Sequence, residues 1–262
     1  SRFEGHTFMG YHRSDGQIGT RNYWLVIPLV FCENRNLKVI EEAMLEELGY
    51  LTRKDFAVDV RQLVELHRQG ASAQMLLEAD ILRTGQQLPE NRVFSNVDGI
   101  KFLRHDGGCG GTRQDSDTLI NLLAGYITHS NVAGATVLSL GCQHAQVSLL
   151  QQALQKCAGF DKPMYVMEQQ KSKSERAFVA EAVKKTFVGL TKANETSRSP
   201  APLSALKLGL ECGGSDGFSG ISANPALGYT SDLLVALGGT TILAEFPELN
   251  GVEQEMVNRS VD

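Results

Sequence analysis

The chain has 262 residues, of which 42% are hydrophobic and 21% charged, and its formal net charge is −5. This balance is typical of a globular domain, and the negative charge gives no electrostatic reason to expect nucleic acid or an anionic membrane as a partner. No apolar run reaches the ~20 residues of a transmembrane helix. Because the polar start, SRFEGHTFMGYHRSDG, does not resemble a secretory signal, we expect a cytoplasmic protein.

Apolar strand patterns alternate with helical patterns along the chain. The first strand is YWLVIPLVF (23–31), and the helical segment NLKVIEEAMLEELGY (36–50) follows it. Further strands are predicted at 98–105, 134–142, 162–170, 205–212 and 240–246, and further helices near 115–128, 145–157, 173–190 and 229–238. Apolar strands that alternate with helices are typical of a parallel sheet covered on both faces. The sequence therefore predicts a three-layer, Rossmann-like α/β domain with a mostly parallel sheet.

Two segments interrupt this alternation. Residues 50–92 have helical patterns without a strong strand and predict a helical insertion after the first strand. The segment TKANETSRSPAPLSA (191–205) is polar and contains two prolines, so we expect a surface linker there. With these two additions, we interpret residues 1–262 as a single α/β domain.

Four of the five cysteines lie where a parallel sheet binds its ligands, outside the carboxyl ends of the strands. These four are Cys32, Cys109, Cys142 and Cys212, whereas Cys157 lies late in a predicted helix. Cysteine often behaves as a small buried hydrophobe, which is one interpretation of this placement. The other is a thiolate-lined site for a soft or borderline metal such as iron, or for an iron–sulfur cluster. The sequence contains no C-x-x-C pair, which excludes zinc-ribbon and ferredoxin spacings.

The loops near these cysteines are rich in glycine and polar residues. HDGGCGGTR (105–113) joins a strand to a helix, where backbone N–H groups can approach an anion, and it carries His105. DGQIGTRNYW (15–24) presents Arg21, which is either a solvated charge or a clamp for a carboxylate. His144 follows Cys142 at the same predicted edge. Acidic residues cluster at the last two strand ends and could supply a metal ligand or a general base: Glu211, Asp216, Glu245 and Glu248.

The motifs together resemble the altronate dehydratase family, which also includes galactarate dehydratase and a sulfolactate sulfo-lyase subunit. The segments that carry the resemblance are GYHRSDGQIGTRNYW, HDGGCGGTR, NVAGATVLSLGCQ, LECGGSDGFSGISANPALG and GGTTILAEFPELNGVE. The resemblance implies a hydro-lyase that converts a sugar acid, D-altronate, to 2-keto-3-deoxy-gluconate and water in hexuronate breakdown. It also implies a divalent metal, Fe²⁺ or Mn²⁺, and a longer enzyme of which this chain is the central part, lacking a small N-terminal domain and a further C-terminal region. We expect a sugar acid as the small-molecule partner and a homodimer.

The resemblance also suggests roles for individual residues. The metal ligands it implies are Cys32, Cys109, Cys142 and Cys212. The substrate-binding residues it implies are Thr20, Arg21, Asn22, Gly108, Gly110, Gly213, Gly214 and Ser215, and from the composition of the glycine-rich loop we add Ser219. The catalytic residues we predict are His105 as the acid, Arg21 and Asp216. Two departures stand out: PLVFCEN occurs where relatives often have STVNCS, and Gln143 occurs where relatives commonly have Glu.

Three functional interpretations stay open at this level. The first is a metal-dependent sugar-acid dehydratase, specific for altronate or, alternatively, of the galactarate or sulfo-lyase type. The second is a non-catalytic domain that supports or dimerises a larger enzyme. The third is an iron–sulfur dehydratase of the aconitase kind. The metal-dependent interpretations require that cysteines distant in sequence converge in the fold.

Overall fold

The computed structural model describes residues 5–51, 56–84, 92–157, 159–211, 213–214 and 216–261. In these ranges, strands β1 to β11 are Thr7–His12, Ile18–Gly19, Tyr23–Pro28, Phe56–Val58, Leu82–Thr84, Gly99–Phe102, Val132–Ser139, Met164–Glu168, Ser199–Pro202, Lys207–Leu210 and Thr240–Leu243. Helices α1 to α8 are Asn34–Glu47, Val60–Arg68, Ala73–Leu77, Arg113–Thr128, Val147–Gln155, Glu175–Ala193, Ala223–Ala236 and Glu253–Asn258. Within the described ranges, no helix has the length and apolar character needed to cross a bilayer.

The centre of the fold is a four-stranded parallel sheet in the order β6-β3-β7-β8. Helices α1 and α6 cover one face and contribute Leu37 and Phe178 to its core. Helices α4 and α5 cover the other face and contribute Ile120 and Leu150. The predicted α/β class, with helices on both faces of a parallel sheet, is therefore confirmed. The direction of winding reverses between β3 and β7, and such a reversal opens a crevice at the carboxyl ends of the two strands.

One core of the sheet is built around Trp24, whose side chain is fully buried. Its indole Nε1–H donates to Thr136 Oγ1 over 3.1 Å, and Thr136 shares a 2.8 Å hydrogen bond with Thr186 on α6. Gly134 on β7 and Gly189 on α6 leave space for the ring, since a Cβ on Gly189 would lie 2.2 Å from it. The indole therefore fixes the distance between the sheet and α6.

A second, antiparallel sheet has the order β2-β1-β9, and neither β1 nor β2 was predicted. Its strand β9 falls within 191–205, where we expected a surface linker. Helix α6 extends to Ala193, and β9 then pairs along β1 from Thr7↔Pro202 to Gly10↔Ser199. The prolines are tolerated because β9 pairs on one side only.

The predicted fifth and sixth strands, β10 and β11, do not extend the main sheet. They pair with each other in parallel, from Lys207↔Thr240 to Leu210↔Leu243, and α7 connects them. No residue of either strand is buried, so neither has the surroundings of a central strand. The prediction of a six-stranded sheet is corrected to a four-stranded sheet and a separate pair.

The insertion after the first strand is only partly helical. In the described part of 50–92, helices α2 and α3 lie between strands β4 and β5, which pair antiparallel from Phe56↔Thr84 to Val58↔Leu82. All three residues of β4 are exposed, as is most of α2. The insertion therefore contributes little to the cores on either side of the main sheet.

Candidate active site

Three loops meet at the carboxyl ends of β3, β6 and β7, and we call residues 29–33, 103–112 and 140–146 the rim loops. The Phe31 N–H donates to Gly107 O over 3.0 Å. The N–H groups of His144 and Ala145 both donate to Gly108 O, over 2.9 and 3.1 Å. Backbone hydrogen bonds therefore join the loops that carry Cys32, Cys109 and Cys142, as the sequence predicted.

Gly108 is the point of closest approach between the rim loops. Its φ is +95°, and a Cβ at this position would lie 2.0 Å from Leu29 O and 2.8 Å from Val30 Cα. Both the backbone conformation and the lack of space exclude a side chain. The glycine predicted to approach a ligand thus has a clear structural role, which is to let one loop pack against another.

An open cleft of about 580 Å³ lies beside these loops, and we call it the rim cleft. It is lined by Gly111, Arg113, Ser116, Asp117, Cys142, Gln143, His144, Gln146, Ser148 and Leu149. Its volume is within the ~300–1,000 Å³ range of sites for small organic ligands.

The amino-terminal ends of two helices point into the rim cleft. Thr112 caps α4 and forms a capping box with Asp115. Helix α5 begins after Gln146 without a side-chain cap, and the Gln146 Nε2 donates to Gln143 O. Unpaired N–H groups and the helix dipole favour an anion at such an end. The cleft is lined by one cation, Arg113, and one acid, Asp117, and the part formed by Arg113 and the start of α5 is suited to a carboxylate.

Cys32, Cys109 and Cys142 are exposed free thiols, and Cys157 is half-buried two residues after the end of α5, not within the helix as predicted. Among the described residues, no group of three Cys, His, Asp or Glu side chains could hold a metal ion. The predicted fourth ligand, Cys212, lies outside the described residues. The described part of the chain therefore brings the cysteine loops together but does not by itself form a metal site.

His105, the predicted acid, connects its own rim loop to the carboxyl end of β3. Its Nδ1 accepts from the Gly107 N–H over 3.2 Å, so Nε2 carries the hydrogen and donates to Pro28 O over 2.7 Å. Both ring nitrogens are thus bound to backbone groups. His144 differs, because its side chain lines the rim cleft. A catalytic role for His105 stays a prediction and would require one of these hydrogen bonds to break.

Thr20, Arg21 and Asn22 lie at the opposite edge of the sheet from the cysteines. They precede β3, whose six residues span about 20 Å at ~3.3 Å per residue. The Arg21 guanidinium lies 3.9 Å from Asp98 Oδ1. The Thr20 N–H donates to Asn131 Oδ1 over 2.7 Å. The structure thus separates these three predicted substrate-binding residues from the rim loops.

The buried Asn22 side chain is used by the fold. It donates to Asn96 O and Ala193 O, each over 2.9 Å, and accepts from Arg13 over 2.9 Å. These bonds connect β3 to the end of α6. Both polar atoms of the Asn22 amide are therefore bound to other parts of the fold.

The glycine-rich loop after β10 belongs to the separate β10–β11 pair. Cys212 and Ser215 lie outside the described residues, and Gly213 and Gly214 are exposed. Asp216 Oδ1 accepts from the N–H groups of Phe218 and Ser219, over 2.8 and 2.9 Å. The Ser219 hydroxyl donates to Asp216 O over 2.8 Å. The side chains of Asp216, predicted to be catalytic, and Ser219, predicted to bind substrate, therefore stabilise a turn, and both roles stay predictions.

Glu33, which the sequence analysis missed, is a fully buried carboxyl group next to Cys32. Its Oε2 accepts from Asn36 Nδ2 over 2.9 Å, and its Oε1 has no hydrogen-bond partner in the described part of the chain. Burial raises the pKa of Glu33, the Asn36 bond opposes this, and the charge of Glu175 adds to it. An acid at a helix start usually faces solvent, so only the three-dimensional packing reveals this burial.

Gln143 is nearly inaccessible and holds the loop after β7 in place. Its Oε1 accepts from the Gly141 N–H over 2.7 Å, and its Nε2 donates to Ser139 Oγ over 2.7 Å. Its Nε2 also donates to Ala145 O over 3.4 Å, and a carboxylate could not make this bond, because it has no hydrogen to donate. The departure from Glu noted in the sequence thus matches the hydrogen-bonding needs of this loop.

Two family models cover most of the chain. The second domain of "D-galactarate dehydratase/Altronate hydrolase" matches residues 10–194, and the C-terminal region of "D-galactarate/Altronate dehydratase" matches residues 203–262. The chain belongs to the D-galactarate dehydratase/altronate hydrolase family. The resemblance inferred from the sequence motifs is thereby confirmed, and both family models are named for dehydratases, which are hydro-lyases.

Individual relatives agree with this assignment. Altronate dehydratase of Bacillus subtilis is 31% identical over 99% of this chain and 42% of its own length. Altronate dehydratase of Escherichia coli is 29% identical over 96% of this chain and 41% of its own length. Galactarate dehydratase (L-threo-forming) of E. coli is 27% identical over 99% of this chain and 43% of its own length. The chain thus spans less than half the length of these relatives.

Proposed function

We propose that this chain forms the part of a sugar-acid dehydratase that binds the substrate carboxylate, and that the binding site is the rim cleft. The observation that carries the proposal is the position of Arg113 and the uncapped start of α5 around one cleft at the carboxyl edge of the sheet. Family membership over residues 10–194 supports it, because the cleft lies within that region. We further propose that the enzyme acts in the cytoplasm.

The chemistry we propose is the removal of water across C2 and C3 of a sugar acid. A base takes the C2 proton, and the C3 hydroxyl leaves with a proton as water. The resulting enol then becomes a 2-keto-3-deoxy acid. Arg113 and the α5 N–H groups would hold the carboxylate and the negative charge that develops next to it. Asp117 and His144 are titratable groups on the cleft wall, and we propose them as the proton-transfer pair.

We propose D-altronate as the substrate, with galactarate as the alternative. The relatives named for altronate are 31% and 29% identical and the relative named for galactarate is 27% identical, so identity favours altronate only slightly. A purely structural role in a longer enzyme is the competing function. The sugar acid would then bind without turnover.

Dependence on Fe²⁺ or Mn²⁺ is also part of the proposal, on the basis of the family resemblance. The described residues provide no set of three donors, so the steps above use only protein groups. Anaerobic purification of the full-length parent, followed by analysis of iron, manganese and acid-labile sulfide, tests this part. Iron without sulfide supports a mononuclear site, and iron with equimolar sulfide supports the aconitase-like alternative. No activation by either metal would contradict metal dependence.

The experiment that tests the proposed site is an anaerobic assay of the full-length parent with a panel of hexonates and hexarates. We expect Arg113→Gln to raise KM for the preferred acid about tenfold, equivalent to ~1.4 kcal/mol of lost binding. The matched control is Arg176→Gln on α6, which is exposed and lies outside the cleft. Equal effects of the two substitutions, or none from Arg113→Gln, would contradict the proposed role of the rim cleft.

A further inference from the structure

A second cavity lies at the amino-terminal edge of the main sheet, opposite the rim cleft. Three segments line it, and we call it the junction pocket: 16–18 with Thr20, 129–131 and 204–207. Its volume is about 360 Å³. The first two segments belong to the region matched by the second-domain model, and the third belongs to the region matched by the C-terminal model. Small-molecule sites occur preferentially at such junctions.

The lining of the junction pocket is positive in a protein whose net charge is negative. The residues that line it include Lys207 and His129, and none of them is acidic. Among the described residues, no carboxylate forms an ion pair with Lys207. Thr20 and Ser204 add hydroxyl groups. The lining therefore offers a cation and neutral hydrogen-bonding groups, and the neighbouring Asp15 carboxylate is bound to the N–H and the side-chain amide of Gln17.

Lys162 offsets the negative end of the adjacent helix. Its ammonium donates to Thr128 O over 3.0 Å and to His129 O over 2.6 Å, at the carboxyl terminus of α4. The carbonyl groups that would otherwise repel an anion are thus bound to a positive charge. The Arg13 guanidinium similarly donates to Ser130 O over 2.8 Å.

The neutral ring of His129 has one nitrogen that can donate a hydrogen bond. Its Nδ1 accepts from the Asn131 N–H over 3.1 Å, so the hydrogen of the neutral ring is on Nε2. Partial burial and the positive charges of Lys162 and Lys207 lower the pKa of His129. An anion between these groups would relieve the repulsion, raise the pKa of His129 and favour its protonated form.

We propose that the junction pocket binds a small oxyanion, a carboxylate or a phosphate, between Lys207 and His129. This site lies at the other edge of the sheet from the rim cleft, and it does not depend on the proposed dehydratase function. Its ligand would contact both family regions of the chain and hold residues 204–207 against the main sheet.

Calorimetric titration of this chain with sodium D-gluconate, and separately with inorganic phosphate, tests the proposal. We expect saturable binding of at least one probe, and a loss of about tenfold in affinity for Lys207→Gln. Lys184→Gln, at an exposed position on α6, is the matched control and should bind as the wild type does. Lack of saturable binding by either probe, or equal loss in both variants, would overturn the proposal.

Proton NMR of the histidine rings locates the binding site. His129→Asn identifies the His129 signal and keeps an acceptor for the Asn131 N–H. We expect gluconate to raise the pKa of His129 in the wild type, and we expect Lys207→Gln to raise it without ligand. A response confined to His144 would instead place binding in the rim cleft, which would overturn this proposal and leave the proposed function intact.

Discussion

At the scale of single residues, Glu33 has an unusual position for a carboxyl group. It is fully buried, and only one of its oxygens has a hydrogen-bond donor in the described part of the chain. A buried ionised oxygen without a partner is costly, whereas the neutral acid avoids the cost of burying a charge. The protonation state of this one side chain should therefore affect the stability of the fold next to the rim loops.

This gives a prediction about pH. The pKa of Glu33 in the folded state lies above its ordinary value of 4.5, so its contribution to stability is present below that value. The contribution is lost as the pH rises through the folded-state pKa. We expect Glu33→Gln to raise the melting temperature by about 2 to 4 °C near pH 7, and by less near pH 4. Calorimetric scans at both pH values measure the difference.

The control for this prediction is Glu46→Gln, at an exposed position on the same helix. It should change the melting temperature little at either pH. A Glu33→Gln protein that gains nothing near pH 7, or gains equally at both pH values, would show that Glu33 is not a destabilising buried charge.

At the scale of elements, the rim depends on how closely its loops pack. Gly108 and Gly110 both have positive φ, of +95° and +74°, but a Cβ on Gly108 would clash with Leu29 and a Cβ on Gly110 would meet nothing within 4 Å. The pair therefore separates the cost of backbone conformation from the cost of a clash between loops.

We expect Gly108→Ala to lower the free energy of unfolding by at least about 2 kcal/mol more than Gly110→Ala. Gly110→Ala should show only the ~1–2 kcal/mol cost of a left-handed conformation for a residue with a side chain. Urea titrations of both variants measure the two losses. Losses of equal size would mean that the rim loops can move apart without cost.

The sequence predicts elements better than it predicts their partners. The strand 23–31 was found from its apolar run, and the rule for parallel sheets placed three cysteine loops together. The segments 205–212 and 240–246 have similar apolar runs, yet they form β10 and β11, because a run does not specify which strand it pairs with. Strand β9 was interpreted as a linker because its sequence, SPAP, contains prolines.

The same limit applies to the site. Arg21 was assigned to the ligand-binding edge from its motif, but it precedes its strand and so lies at the other edge. Arg113 was not predicted as a site residue. Its proposed role depends on the neighbouring start of α5, and a motif does not show that this helix lacks a side-chain cap. Motifs thus predicted which loops meet at the rim, but not which side chains line the rim cleft.

At the scale of the whole molecule, the chain has a well-packed part and a poorly packed part. The main sheet has buried cores on both faces. In the described part of 203–262, by contrast, α7, β11 and α8 contain no buried residue, and Phe218, Tyr229 and Phe246 are each at least 66% exposed. A parallel pair of strands with one connecting helix has little independent stability.

We therefore expect hydrogen exchange to divide the chain at about residue 203. Amides of α7, β10 and β11 should exchange at least about tenfold faster than those of β3 and β7, because local opening needs less free energy where few apolar contacts are lost. Mass spectrometry of peptides from this chain measures the two rates. Similar protection in both parts would contradict this division.

The packing of Trp24 gives the protein a built-in optical reporter. It is the only tryptophan in the sequence, and its indole lies between a strand and a helix of the main sheet, in the space left by Gly134 and Gly189. The emission wavelength of Trp24 will therefore remain that of a buried indole for as long as α6 stays packed on the main sheet, even if residues 203–262 unfold. Fluorescence and far-ultraviolet circular dichroism will consequently follow different events when the chain is denatured, and the gap between their midpoints will measure how independently the two parts unfold.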